Sequence, residues 1–257
     1  EGRSLKELRE LADTGGAKVI DLSAGRVRLE TRMSVESIET SNIAGVIPGR
    51  GDLADEWVLI GAHYDHLGIG DGSAGRSRAG ANTGKIHPGA DDNASGVAGV
   101  LQAGESLKRE YALLPYDADA RSIMLLFFSA EETGLNGSKA FVDQGRVASD
   151  DVTAMLNLDM IGRLRRDQLE VSGVGTAEGF PEMVARYGEK HAFRVKTNKS
   201  GVGPSDHASF YRGGMPVLAF FTGTHDDYHT PGDTADLVNA RGGARIAALV
   251  SDLALEL

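Results

Sequence analysis

Residues Ile123-Met124-Leu125-Leu126-Phe127-Phe128-Ser129-Ala130-Glu131-Glu132 form a near-continuous apolar run that stops on two carboxylates. Such a run, without alternation of polar and apolar positions, predicts a strand buried on both faces, as found in a sheet covered by helices on either side. Outward from it, Trp57 to Ala62, Met155 to Ile161 and Pro216 to Thr222 read as further buried strands. Val97, Val100, Leu101 and Leu107 mark the apolar stripe of a helix whose first turn lies near Asn93 to Gly96. Phe180 to His191 reads as a second helix and Ile246 to Leu255 as a closing one. Toward the N-terminus, Ser4-Leu5-Lys6-Glu7 has capping-box spacing, and Leu5, Leu8 and Leu11 come at helical intervals. Val27 to Ile38 alternates, with Asn42 to Ile47 as its predicted antiparallel partner at one side of the sheet. Gly68 to Gly89, without periodicity, reads as a long surface loop. Apolar strands alternating with amphipathic helices describe an α/β fold, a mixed central β-sheet flanked by helices on both faces.

Composition narrows the function classes. A chain of 257 residues, 41% hydrophobic and 25% charged, with no Pro-rich or low-complexity linker, is expected to form one domain over residues 1–257. A formal net charge of -10 argues against nucleic acid or an anionic membrane surface as partner, since both reward clustered Lys and Arg. No apolar run is long enough to span a bilayer. With 0 Cys, any zinc here has to be held by His and carboxylates.

In open sheets of this class, ligands bind outside the carboxyl ends of the strands, and the polar clusters of this chain come after strand ends. His63 and Asp65, two apart in an extended segment, point to one face. A metal-binding imidazole needs its second nitrogen held, and Asp65 is placed to do this for His63 or to hold another ligand. Asp91 and Asp92 precede a helix, where one carboxylate serves as a cap or as a bridge between ions, with Gly89 and Gly96 leaving room for close approach. Glu131 and Glu132 end a buried run where uncompensated charge is costly, and consecutive residues point differently, which allows one ligand and one base. Asp159 lies late in its own apolar strand, and His229 sits in the turn-rich segment Asp227 to Thr234. Two His and three carboxylates are the set expected for two divalent ions sharing one bridging carboxylate.

Five segments in this order carry a resemblance: Gly61-Ala62-His63-Tyr64-Asp65, Gly89-Ala90-Asp91-Asp92-Asn93-Ala94-Ser95-Gly96, Ser129-Ala130-Glu131-Glu132-Thr133-Gly134, Asn157-Leu158-Asp159-Met160 and Tyr228-His229-Thr230-Pro231. From Asn42 to about Asp236 the chain resembles the clan MH metallopeptidases, specifically the di-zinc aminopeptidases that include secreted bacterial leucyl aminopeptidases. The resemblance implies the zinc-dependent exopeptidase fold and two Zn2+ ions bridged by Asp92, one completed by His63 and Asp159, the other by Glu132 and His229. It makes Glu131 the general base, sets Asp65 behind the ligands and Tyr228 near the oxyanion, and implies a cis peptide from Asp92 to Asn93. Ser205-Asp206-His207 and Phe210 resemble a segment near the substrate pocket, which makes Asp206 and Phe220 substrate-binding candidates, with Phe221 as a further wall residue. The implied activity is removal of N-terminal residues from peptides with a free N-terminus, in a secreted or periplasmic setting.

Two features depart from the family pattern: the loop from Ile69 to Pro88 is long, and no Cys is present for the pocket disulfide of some relatives. The segment before Asn42 resembles the stretch just after a protease-associated domain in longer members, which implies such a domain upstream. A carboxypeptidase or dipeptidase of the same clan would keep the ligands and use Arg163, Arg212 or Lys199 to hold a substrate carboxylate. A glutaminyl cyclase-like relative departs from the full ligand pattern. A non-catalytic, receptor-like binding module would lack ligands or the base.

Overall fold

The computed structural model describes Ser4, Glu7 and residues 37–70, 82 and 84–257. The chain divides into two compact units, Glu1–Glu39 and Thr40–Leu257. In the first, Ser4 and Glu7 make the predicted capping box: the Ser4 amide donates to Glu7 Oε2 at 2.7 Å and the Glu7 amide to Ser4 Oγ at 3.3 Å. The remainder of that helix and residues 27–36 of the predicted strand lie outside the described residues.

The second unit runs β1 (Ile43–Ile47), β2 (Trp57–His63), β3 (Gly68–Ile69), β4 (Ile86–His87), α1 (Gly96–Leu113), β5 (Ser122–Phe128), α2 (Asn136–Asp143), β6 (Val152–Leu158), β7 (Gln168–Ser172), α3 (Phe180–Lys190), β8 (Arg194–Asn198), α4 (His207–Arg212), β9 (Val217–Phe221) and α5 (Ala240–Glu256). Among the described residues seven strands form one mixed sheet in the order β1-β5-β2-β6-β9-β7-β8. Its middle, β5-β2-β6-β9, is parallel, so these four strands deliver their carboxyl ends to one edge. The flanks reverse: β1 runs antiparallel to β5, and β7 antiparallel to β9.

The strands alternate between two cores, as their two-residue period requires. Val58, Ile60 and Ala62 join Ala154, Leu156 and Leu158 against Val100 and Leu107 of α1, Phe180 and Val184 of α3, and Ile246 and Leu249 of α5. Leu59, Met155, Leu126 and Phe128 face the other way, onto Phe141 of α2 and Phe210 of α4. Helices therefore cover both faces, and the central strands are apolar on both sides, as predicted.

Among the described residues Ile43–Ile47 pairs with β5, Ile43 opposite Phe127 and Ile47 opposite Ile123; its expected partner over residues 27–36 lies outside the described residues. Three local expectations change. Leu101 is exposed; the buried stripe of α1 is Gly96, Gly99, Val100, Ala103, Gly104, Leu107 and Tyr111. The ends of the long loop pair as a two-stranded ribbon, Gly68 opposite His87 and Ile69 opposite Ile86. Finally, β6 ends at Leu158, so Asp159 opens the next loop instead of lying inside the strand.

Candidate metal centre

The parallel middle of the sheet places the polar clusters together. His63 is the last residue of β2, Glu131 and Glu132 come after β5, Asp159 after β6, and His229 lies in the loop beyond β9. Chain direction changes sharply beside these residues, with positive φ at Ala130 (56°), Met160 (51°) and His229 itself (56°). Non-glycine residues in this region concentrate at functional sites.

The donors form two groups around Asp92. His63 Nε2 stands 3.2 Å from Asp92 Oδ1 and 3.7 Å from Asp159 Oδ1. Its Nδ1 donates to the Asp65 carbonyl oxygen at 2.9 Å, which leaves Nε2 free to present a lone pair. On the other side of Asp92, His229 Nε2 lies 3.1 Å from Asp92 Oδ2 and 3.2 Å from Glu132 Oε2. A residue outside the sequence-derived ligand set completes this second group: His66 Nδ1 is 2.7 Å from Glu132 Oε1 and 3.7 Å from Asp92 Oδ2. Its signal is the last position of His63-Tyr64-Asp65-His66, which the pairing of His63 with Asp65 leaves unused.

Several of these atoms are buried without a hydrogen-bond partner among the described residues: both ring nitrogens of His66, Glu132 Oε1, Asp159 Oδ1 and His229 Nε2. Buried polar atoms are ordinarily satisfied, so orphaned lone pairs converging from His and carboxylates fit a metal centre. The ligand atoms of His63, Glu131 and Asp159, and separately those of His66, Asp92 and Glu132, lie within 4.8 Å of one another.

The local charge pattern agrees. Burial opposes ionisation of Asp92, but His229 and His63 hold its carboxyl well below the usual range. Burial also opposes charge on His229, yet Asp92 and Glu132 raise it to about 9. For Glu132 the penalty of burial is outweighed by His229 and His66, which lower it. Glu131 differs: burial, with Asp159, Asp206 and Glu132 close by and only His63 in opposition, pushes it up to about 9.

The supports behind the donors distinguish the two adjacent Asp. Asp91 turns away: its Oδ1 accepts from the Gly162 amide at 2.6 Å and Ser95 Oγ at 3.0 Å, and its Oδ2 faces His225 Nε2 at 3.1 Å. Asp233 Oδ2 accepts from the amides of both Asp91 and Asp92, at 2.9 and 3.0 Å, and so orients the turn that presents Asp92. Asn93 ties that turn to β6, donating to the Leu158 carbonyl and accepting from the amides of Met160 and Gly96. A Cβ at Gly96 would stand 2.4 Å from the Leu158 carbonyl oxygen, so glycine is required for this approach. The peptide from Asp92 to Asn93 is cis, as the resemblance implies. The Asp65 carboxylate stands 3.9 Å from His63 Nδ1, beyond hydrogen-bond distance; that same Oδ1 accepts from the Glu131 amide at 3.1 Å.

A cavity of about 350 Å³ opens onto this centre, lined by His63, Asp92, Glu131, Glu132, Asp159 and Tyr228, with Phe221 in its wall. The Tyr228 ring stacks on His229 with centroids 3.9 Å apart. Asp206, expected in the pocket, is fully buried and does not line it; Ser205 and His207 do. The Asp206 carboxyl sits where burial raises it to about 7, in the field of His63 and Asp159. Among the described residues no Lys or Arg lines the cavity. Arg163 is instead engaged with Asp227 and Asp233 at 3.2 and 3.3 Å.

Comparison with known proteins agrees with this geometry. The chain is 30% identical over 203 residues to a probable leucine aminopeptidase of Trichophyton verrucosum (strain HKI 0517), covering 75% of this chain and 49% of that protein. It is 31% identical over 223 residues to leucine aminopeptidase 1 of Coccidioides posadasii (strain C735), covering 80% of this chain and 54% of the relative. The chain thus spans about half the length of the curated relatives it matches. Among solved structures, a zinc aminopeptidase from Bacillus subtilis superposes with a TM-score of 0.64 at 26% identity, covering 84% of this chain and 49% of that one. The LapA aminopeptidase of Legionella pneumophila gives 0.67 at 24% identity, covering 84% and 54%. The sequence pattern of peptidase family M28 matches residues 42–254, and on that match, with the fold it accompanies, the chain belongs to family M28.

Proposed function

We propose that residues 40–257 carry a zinc aminopeptidase site that binds two ions and removes N-terminal residues from peptides. The observation that carries this reading is the cavity floor, where His63 with Asp159 and His229 with Glu132 stand on either side of Asp92 beside Glu131, in a cavity whose described lining holds no Lys or Arg. His63, Asp92 and Asp159 would hold one ion, and Asp92, Glu132 and His229 the other. Zinc bound here supplies polarisation of the scissile carbonyl and acidification of water. Glu131, its amide held by Asp65, would accept a proton from the attacking water and pass it to the leaving amine; bound cations would favour its ionised form, which burial and the neighbouring carboxylates alone oppose. Tyr228 lines the cavity, and its phenol would donate to the oxygen on which negative charge develops. Phe221 offers an apolar wall to the first side chain of the substrate, whereas Phe220, expected there too, is fully buried in the core. A substrate carboxylate finds no cationic residue in the described lining, whereas a free α-ammonium group is compatible with a carboxylate-lined floor.

The test is hydrolysis of a leucyl substrate with a free amine against its N-acetylated form, before and after EDTA and after zinc is restored. Cleavage of the free amine alone, abolished by EDTA and recovered with zinc, is expected. Preference for the acetylated form would overturn the aminopeptidase reading, and activity indifferent to EDTA would overturn the metal.

A further inference from the structure

We propose that His66 is an additional protein donor to the ion held by Asp92, Glu132 and His229, so that this subsite is closed by four protein side chains while the His63–Asp159 side remains open to substrate. The inference rests on the two-ion reading above and extends it to a residue outside the ligand set that the resemblance implies.

Three observations on different atoms carry it. The His66 side chain is 8% exposed, and its Nδ1 lies 2.7 Å from Glu132 Oε1, yet neither atom has an aligned hydrogen-bond partner. An imidazole that merely held Glu132 would direct its N–H along that line, whereas two lone pairs converging on one point produce a short separation without alignment. The ring also meets His229 edge-on, with centroids 5.6 Å apart and planes at 68°, so the two imidazoles flank the Glu132 carboxylate from different directions.

The second observation concerns the turn that presents Asp92. Gly89 has φ 63°, and a Cβ there would stand 2.5 Å from His66 Cγ and 2.4 Å from the Asp92 carbonyl oxygen. The turn therefore has a gap shaped by the His66 ring. Third, both donors of the His63–Asp159 side line the cavity, whereas on the other side the shared Asp92 and Glu132 line it and neither His66 nor His229 does. Zinc sites closed by four protein ligands are characteristically structural, whereas catalytic sites keep three and an open position. By that division the ion beside His63 and Asp159 is the one that meets substrate, and the ion beside His66 anchors Asp92 and Glu132.

The decisive measurement is metal binding, independent of turnover. Wild type, His66→Ala and His66→Gln are titrated with zinc against a chromogenic chelator, and their cobalt-substituted forms are compared by visible absorption. Wild type is expected to hold two ions. His66→Ala is expected to hold one with unchanged affinity and the other about 100-fold more weakly or worse, since loss of even an outer partner of a ligand costs 10–100-fold. Its cobalt spectrum should change in step, and His66→Gln, which keeps a donor toward Glu132 but no imidazole, should behave like His66→Ala. Two ions at wild-type affinity in His66→Ala, with an unaltered cobalt spectrum, would overturn the proposal. Restoration of wild-type affinity by His66→Gln would also overturn it and make His66 a positioning residue for Glu132. A wild-type protein that binds fewer than two ions overturns the two-ion reading itself, an outcome separate from any His66 variant.

Discussion

Glu132 meets two imidazoles, His66 and His229, while its neighbour Glu131 meets mainly other carboxylates and receives its amide support from Asp65. In the proposed reading, one peptide unit just beyond β5 divides metal binding from proton transfer. Glu131→Gln is expected to lower kcat by about 10²–10⁴-fold while metal content stays at the wild-type value; paired kinetics and metal analysis read both. Loss of metal in proportion to activity would reverse the assignment within the pair. His63, Glu132, Asp159 and His229 are legible in the sequence because each comes at or after the end of an apolar run, and a strand end is where such a charge finds a use. Asp92 is separable from Asp91 only by resemblance, since spacing cannot show that Asp91 turns back to Gly162 and His225. His66 escapes for the same reason: which way a ring points after a strand depends on what packs against it, here the gap at Gly89. The motif around Asp206 points to the pocket, but its carboxyl is buried while its neighbours Ser205 and His207 take the wall.

The short helix α4 opens on His207, whose ring nitrogens are buried without hydrogen-bond partners among the described residues. Burial lowers its pKa to about 4, against the opposing pull of Asp159. Because the folded value lies below the ordinary 6.5, the unfolded chain takes up the proton first as pH falls. The contribution of this group to stability is therefore full above pH 6.5 and is lost as pH drops toward 4, a loss of roughly 3 kcal/mol at most. His207→Phe should flatten that part of the difference in Tm between pH 7 and pH 4.5 relative to wild type, measured by thermal unfolding. Curves that stay parallel would show that the ring is not held neutral. Among the elements, the central strands are legible because they are apolar on both faces and need no phase to be recognised. The strands β7 and β8 are not: each is five residues long, and β8 is largely exposed, so neither carries enough pattern to stand out. Leu101 misleads because a single apolar residue at helical spacing does not reveal which side of the stripe it borders.

The proposed donors come from residues 63 to 229, on four strand ends or their loops and on the turn before α1, so the centre exists only when the sheet is assembled. A ligand that binds the folded chain and not the unfolded one stabilises it by mass action, about 2.7 kcal/mol when present at 100 times its Kd. Chelation is accordingly expected to lower Tm, and zinc to restore it; a calorimetric Tm indifferent to both would show that no ion links these segments. The parallel order β5-β2-β6-β9 has one more consequence. Hydrogen-bonded strands lie roughly 4.8 Å apart, and that interval is fixed by the backbone ladder whatever side chains the strands carry. The sheet therefore acts as a ruler, on which His63 and Asp159 are adjacent graduations and Glu132 stands one mark to the other side. Side chains can be exchanged along the scale, but its divisions are set by the peptide unit, so the spacing on which the chemistry depends is the property of this molecule least open to change by mutation.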